Sequence, residues 1–440
     1  MKTWFKCLMF ALPASTLSAG ELQSLYEKVL NSDPRLKISL QETIVSDARL
    51  DQTTARLLPQ VSFTSNWTEN SRETLNLGSK DSYKGEKYSL TVRQDVFNLS
   101  KWHDRKRYQY LSEESQERLR DSEVLVTSDL VDRYVDALAA QDDLELTIAE
   151  KNATKKQLEL LKSRYKKQLA VLTDVLEVEA RYDGIRADEI AARAQVEIAF
   201  ESLSELIGEP VIGPFYGLNE DIELQAGLGS LDSWTQRALK DNPSLRALLS
   251  NMQAAEAAIR QAKSDHLPTV DISLSAQKSD IGFENSQTSR TQTYVASLNL
   301  MVPIYQGGSV TARKKEQRAL YAIAQQEYDE ARRGVLRSVR ASFLNTQASF
   351  SRIDAASKAV ESAIKSYEAQ EKGLKYGTVT VVDVLDALRE QYRFRRDFRQ
   401  AQYDFIINWV QLLSNSGGLS ADHIALIDSW QSPVEQLAIQ

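Results

Sequence analysis

Cysteine is nearly missing: Cys7 is the one thiol in 440 residues. It lies in an N-terminal stretch with Lys2 and Lys6, an apolar run Cys7–Leu12, and the small residues Ser15, Ser18 and Ala19. This pattern reads as a secretory signal peptide over residues 1–19. Cys7 follows Phe5 and Lys6 too early to be a lipoprotein acceptor. The processed chain then holds no thiol, which excludes disulfides, thiolate metal sites and a cysteine nucleophile. Proline and glycine are also scarce, at 9 and 17. No proline stands between Pro59 and Pro210 or between Pro303 and Pro433, and no glycine between Gly85 and Gly184. Such stretches without breakers point to very long helices and away from an ordinary α/β enzyme. An excess of positive charge is lacking as well. With 54 Lys+Arg against 61 Asp+Glu the formal net charge is -7, which excludes the usual basic nucleic-acid binder. The three histidines, His103, His266 and His423, have no metal-ligand spacing. A glycine-rich phosphate loop, a GxSxG elbow and an HExxH helix are absent too. We therefore expect no catalytic residues, no metal and no cofactor. No segment reaches the ~20 apolar residues of a membrane helix; the longest candidate, Phe405–Leu413, contains Asn408 and Gln411.

What is present is one pattern written twice. Asp33-Pro34-Arg35-Leu36 recurs 209 residues later as Asn242-Pro243-Ser244-Leu245. At the same offset Leu58-Pro59-Gln60-Val61 recurs as Leu267-Pro268-Thr269-Val270, and Asp174-Val175-Leu176 as Asp383-Val384-Leu385. Ser89-Leu90 meets Ser297-Leu298 one residue out of step. The first repeat, residues 20–207, carries a short helix, strands at about 59–70 and 86–97, and long helices at about 101–165 and 174–207. A Gly- and Pro-containing linker follows at 208–230. The second repeat, 231–419, carries short helices, strands at about 268–283 and 292–304, and long helices at about 309–374 and 383–415. Residues 420–440 form a C-terminal tail.

The strands alternate strictly. Val61, Phe63 and Trp67 interleave with Ser62, Thr64 and Asn66, and Tyr88, Leu90 and Val92 with Ser89, Thr91 and Arg93. Val270, Ile272 and Leu274, then Tyr294, Ala296, Leu298 and Leu300, repeat the arrangement. Runs of about ten residues with this period fit membrane β-strands, lipid on one face and a lumen on the other. They fit equally a soluble antiparallel sheet with one wet face. In a membrane, four strands cannot close a barrel, and an open edge in lipid leaves backbone groups without partners. Several copies must then combine, giving eight, twelve or sixteen strands.

The uninterrupted first helix would be roughly 100 Å long. Val124, Val131, Val135 and Leu138 form a coiled-coil-like stripe, as do Phe350, Ile353, Val360, Ile364 and Tyr367. The helices reverse near Lys166–Thr173 and Lys375–Val382. Asp174 and Asp383 begin the returning helices, where capping is one role open to them. Basic clusters stand at Lys162, Arg164, Lys166 and Lys167, and at Arg393, Arg395, Arg396 and Arg399; such clusters are usually solvated faces paired with nearby acids.

Several local words carry a resemblance. Phe97-Asn98-Leu99-Ser100-Lys101-Trp102, His266-Leu267-Pro268, Pro303-Ile304-Tyr305-Gln306-Gly307-Gly308 and Thr380-Val381-Val382-Asp383-Val384-Leu385-Asp386 resemble the TolC family of outer-membrane channel proteins. The likeness runs from about Gly20 to Leu419. It implies an α+β membrane protein: a trimeric twelve-stranded outer-membrane β-barrel, four strands per protomer. A long α-helical coiled-coil barrel in the periplasm continues it. The implied role is an exit duct for multidrug efflux or type I protein secretion. The implied partners are two further copies, a periplasmic adaptor, an inner-membrane transporter of RND or ABC type and outer-membrane lipid, with no nucleic acid. Asp383 and Asp386 match the family's pore-constriction aspartates. Three apart, they share a helix face; three copies would stack two carboxylate rings that favour cations and raise one another's pKa. Thr173 and Asp174 match one side of the family's entrance helix links. The other side departs, with Val379 and Leu374 where an arginine and a tyrosine are usual. Lys166, Lys167, Leu169, Gly377 and Thr378 fall at the adaptor-docking turns, and Gln168 replaces a usual glycine. The alternative is a periplasmic coiled-coil adaptor or scaffold, which normally has one hairpin and a lipoyl-like β-domain.

Overall fold

In the computed structural model, residues 21–74, 78–219, 228–281 and 290–431 are described; the signal-peptide segment lies outside them. The alternating runs form four antiparallel strands in one sheet: β1 (Gln60–Thr74), β2 (Ser79–Phe97), β3 (Thr269–Ile281) and β4 (Thr291–Met301), in that spatial order. Register makes the alternation count. Val61 faces Val92, Phe63 faces Leu90, Leu90 faces Ala276, and Ile272 faces Leu298. The alternating apolar positions Val61, Phe63, Trp67, Leu90, Ile272, Leu274 and Leu298 therefore land on one face, and a slip of one residue would turn them to the other. Phe63, Trp67, Tyr294, Leu298 and Leu300 are all exposed there. The other face is polar and internally bonded. Arg93 Nη2 donates to Asp271 Oδ1 at 2.9 Å and Asn299 Nδ2 to Asp271 Oδ2 at 3.0 Å, tying β2, β3 and β4. The hydroxyls of Ser273 and Ser297 meet at 2.6 Å. The outer edges of β1 and β4 have no strand beside them among the described residues.

β2 begins well before the expected 86, at Ser79. Lys80, Ser82 and Lys84 carry no apolar alternation, yet the backbone ladder continues to the turn at Gly78, with Thr68 opposite Gly85 and Thr74 opposite Ser79. β4 stops at Met301, just before Pro303, which has no N–H to give a ladder.

Each repeat begins with two short helices, one more than the first repeat was expected to have: α1 (Glu21–Ser32) and α2 (Pro34–Ala55), then α5 (Leu231–Asp241) and α6 (Pro243–Ser264). The duplicated Asp/Asn-Pro word is the break between them. Asn242 caps α6, its side chain accepting from Leu245 N at 3.0 Å, with Pro243 at the first helical position. The long helices are α3 (Leu99–Lys166) and α7 (Ser309–Tyr376), each 68 residues, with α4 (Leu172–Ile207) and α8 (Val381–Asn415) returning from them. Acid-before-base pairs such as Glu114–Arg118, Asp129–Arg133 and Glu189–Arg193 line α3 and α4 at four-residue spacing. Each adds a few tenths of a kcal/mol to a helix.

The chain divides into two units. One holds Ile38–Asp121 and Asn242–Gly334, including the whole sheet. The other holds the residues up to Lys37, Ser122–Asp241 and those from Val335 onward. The main core belongs to the second unit: Leu22 and Val29 of α1, Leu130, Tyr134 and Leu138 of α3, Leu203 of α4, and Phe405, Ile406 and Val410 of α8.

The presumed C-terminal tail is part of this core. Residues Ala421–Ser429 form a helix, α9, that buries Ile424 and Ile427. Asp428 Oδ1 accepts from Leu22 N at 3.0 Å and Oδ2 from Gln23 N at 2.8 Å. The last helix thus caps the N-terminus of the first. Four residues, Ile424, Ile427, Asp428 and Trp430, carry this contact, too few for a periodic signal in the sequence.

Candidate functional site: the hairpin tips and the start of α8

The two reversals share one backbone solution. After α7, Gly377 N donates to Leu374 O and Thr378 N to Gly373 O, at 3.3 and 3.0 Å, with Gly377 at φ 73°. After α3, Gln168 N donates to Tyr165 O and Leu169 N to Arg164 O, both at 2.9 Å, with Gln168 at φ 59°. Both are helix ends closed by a left-handed residue. Glycine takes that conformation freely; glutamine carries a Cβ into it. Gln168 is the one non-glycine with positive φ among the described residues.

Around these turns Lys166, Lys167, Leu169, Gly377 and Thr378 are all exposed, Leu169 to 73%. Tyr376, unremarked in the sequence, is 84% exposed beside them. Val379 lies against Gly373, where a Cβ would come within 2.9 Å of its Cγ2.

Asp383 and Asp386 stand on the first turns of α8, both exposed. Asp383 closes a capping box with Thr380. Its Oδ2 accepts from Thr380 N at 2.8 Å and Thr380 Oγ1 at 2.6 Å, while Asp383 N donates to Thr380 Oγ1 at 3.2 Å. These bonds to the Thr380 hydroxyl and then its N–H hold the Asp383 carboxyl below the ordinary aspartate pKa. Within the chain the shift is therefore downward, opposite to the rise expected from crowding.

Asp386 has another partner. Arg181 Nη2 of α4 donates to its Oδ1 at 2.8 Å. Beside this pair Leu385 packs with Leu158 and Leu161 of α3 and Val175 and Val178 of α4. Thr173 is exposed and Asp174 half-buried in the first turn of α4, whose cap residue is Val171. Among the described residues neither bonds to another helix; the link from α4 to α8 is made by Arg181. Sequence reading missed Arg181 because its partner lies 205 residues away. Its position beside the stripe of Val175, Val178 and Ile185 was the one available sign.

Farther along α8 the arginine cluster is paired. Arg396 donates to Asp143 Oδ1 at 2.9 Å and to Thr147 Oγ1 and Glu150 Oε2 at 3.0 Å, all on α3. Arg399 donates to Leu218 O at 3.0 Å and Arg393 is bonded to Glu390. Arg395 lies over the Tyr392 ring.

The family model for outer membrane efflux proteins matches twice, at residues 25–209 and 234–418. The chain belongs to the outer membrane efflux protein family. The two matches start 209 residues apart, the offset of the duplicated words. The chain is 29% identical to Outer membrane protein TolC of Vibrio cholerae, over 93% of this chain and 94% of that one. It is 26% identical to the alkaline protease secretion protein AprF of Pseudomonas aeruginosa, over 97% and 90%. The structure of CusC superposes with a TM-score of 0.80 at 16% identity, covering 90% of this chain and 92% of that one. The outer-membrane channel OprN superposes at 0.78 with 19% identity, covering 90% of each. The fold is that of outer-membrane channels, and the protein is an outer-membrane channel of the efflux and secretion class. This decides between the two readings of the alternating strands. The periplasmic adaptor finds no support: the described residues hold two strand pairs in one sheet and two long helical hairpins.

Proposed function

We propose that three copies of this chain close a twelve-stranded barrel in the outer membrane. Their helices continue the duct into the periplasm, and an inner-membrane transporter of RND or ABC type drives export through it by way of a periplasmic adaptor. The observation that carries the proposal is the sheet: one continuous apolar face, one bonded polar face, and unpaired outer edges at β1 and β4. In lipid such edges must find strands, and β1 of one copy can pair with β4 of the next. The transporter supplies energy and selects the cargo; the channel supplies the path.

Asp383 and Asp386 form the constriction in this reading, Thr173 and Asp174 take part in entrance links between neighbouring helices, and the exposed turns meet the adaptor. Lys166 and Lys167 beside Leu169 give the first turn a basic, apolar tip suited to an acidic adaptor surface. The absence of thiols from the processed chain makes a direct test available. Cysteine pairs placed across the proposed seam, such as Thr64→Cys with Ser297→Cys and neighbouring registers, should oxidise to covalent trimers in outer-membrane fractions. A folded protein that yields only monomers at every register would overturn the trimer.

A further inference from the structure

We infer that Arg181 is a built-in countercharge for Asp386, so that the uncompensated charge of the constriction is carried by Asp383. The inference rests on the constriction reading above and deepens it. The two aspartates look equivalent in sequence, three apart at the start of α8, but their surroundings differ. Among the described residues the Asp383 carboxylate is bonded only to the neutral Thr380, by the backbone N–H and the hydroxyl, and so keeps its full charge. Asp386 lies 2.8 Å from a guanidinium nitrogen of another helix.

Arg181 is no solvated surface arginine. Its side chain is 23% exposed against 59% for Asp386, and its Nη1 is buried with no partner among the described residues. A guanidinium held away from water, with one arm already unsatisfied, has little to gain by releasing its carboxylate. The underlying packing fixes its place. Val175 and Val178 sit about two turns and one turn before it on α4 and bury against Leu385, the residue preceding Asp386. Among the acids within two helical turns of Asp386 on α8, Asp383 is committed to Thr380 and Glu390 to Arg393. On α4 the nearby Glu179 is taken by Lys162 and Asp183 by Arg186, and Glu177, four residues before Arg181, makes no ion pair with it among the described residues; Arg181 pairs with Asp386. Each copy then presents one uncompensated carboxylate to the pore instead of two.

Charge bookkeeping makes the test sharp, because the variants separate by arithmetic. Purified protein in planar bilayers would be compared as wild type, R181Q, D386N, R181Q/D386N and D383N, with heat-modifiable oligomer migration checked for each. R181Q frees the Asp386 carboxylate and should raise the cation-to-anion permeability ratio by about twofold or more. D386N should lower that ratio, since it leaves Arg181 unopposed. The double variant should return to the wild-type ratio, and R181K should stay near it. If R181Q leaves the ratio unchanged while D383N and D386N both lower it equally, Arg181 compensates nothing and the inference fails. If neither D383N nor D386N alters the ratio, the constriction reading itself fails, whatever Arg181 does. A readout of selectivity separates a countercharge from a helix brace: loss of a brace alters conductance or oligomer yield, and the double variant would not restore it.

Discussion

Gln168 occupies a backbone conformation that glycine adopts at the matching turn, and nothing in its hydrogen bonding requires glutamine. Gln168→Gly should therefore raise stability toward denaturant by about 1 kcal/mol, the ordinary cost of a Cβ in the left-handed region. Gly377→Ala should lower it by a similar amount. A neutral or destabilising Gln168→Gly would show that the glutamine side chain itself makes a stabilising contact at the tip. The absent glycine was visible in the sequence as a departure; the repeat's own second turn supplied the geometry that gives the departure meaning. At Asp383 the sign of the pH dependence follows from the lowered pKa. A carboxyl whose folded pKa is depressed stays ionised until pH falls through that lower value. Cation selectivity should thus survive acidification through the ordinary aspartate range near 4 and fade below it. Thr380→Val removes the hydroxyl whose hydrogen bond is the largest cause of the depression, and should move the loss of selectivity to higher pH. Identical titrations for the two proteins would count against Asp383 as the charged ring.

The elements differ in how openly the sequence declares them. Strands β1 to β4 were legible because period-two alternation is a local property, and the register then gathered Val61, Leu90, Leu274 and Leu298 onto one face. The long helices were legible from missing proline and glycine. What stayed hidden depends on groups far apart in sequence. Arg181 meets Asp386 only after two hairpins have folded, and α9 and its end announce themselves through Ile424, Ile427, Asp428 and Trp430. The start of β2 was hidden for a different reason, since a backbone ladder needs no side-chain pattern. Asp428 offers the clearest test at this scale. Its carboxylate takes two N–H groups at the start of α1. Asp428→Ala should cost about 1 kcal/mol, as loss of an N-cap does. Amide exchange should rise first at Leu22 and Gln23; unchanged protection there would mean that water or another group replaces the cap.

At the scale of the whole molecule, the sheet's apolar face determines where the protein can reside. Phe63 stands on that face opposite Leu90 and is exposed to 65%. Phe63→Arg should cost up to about 4 kcal/mol in lipid and deplete assembled channel from outer-membrane fractions. The substitution Thr64→Arg, one residue along and on the polar face, should leave assembly intact and change conduction instead. Equal tolerance of both would mean that the face meets something other than lipid.

The clasp between the two ends of the chain also sets an order of events. A polypeptide threaded across the inner membrane emerges with its N-terminal region first, so Leu22 and Gln23 reach the far side about four hundred residues ahead of Asp428. The first helix made is the last to be completed. Until α9 arrives, the unit that buries Leu22 and Val29 lacks Ile424 and Ile427, and it exposes that apolar surface to whatever shares the compartment. Residues Ala421–Ser429 therefore complete this core, and a nascent protein interrupted before Ala421 leaves it open.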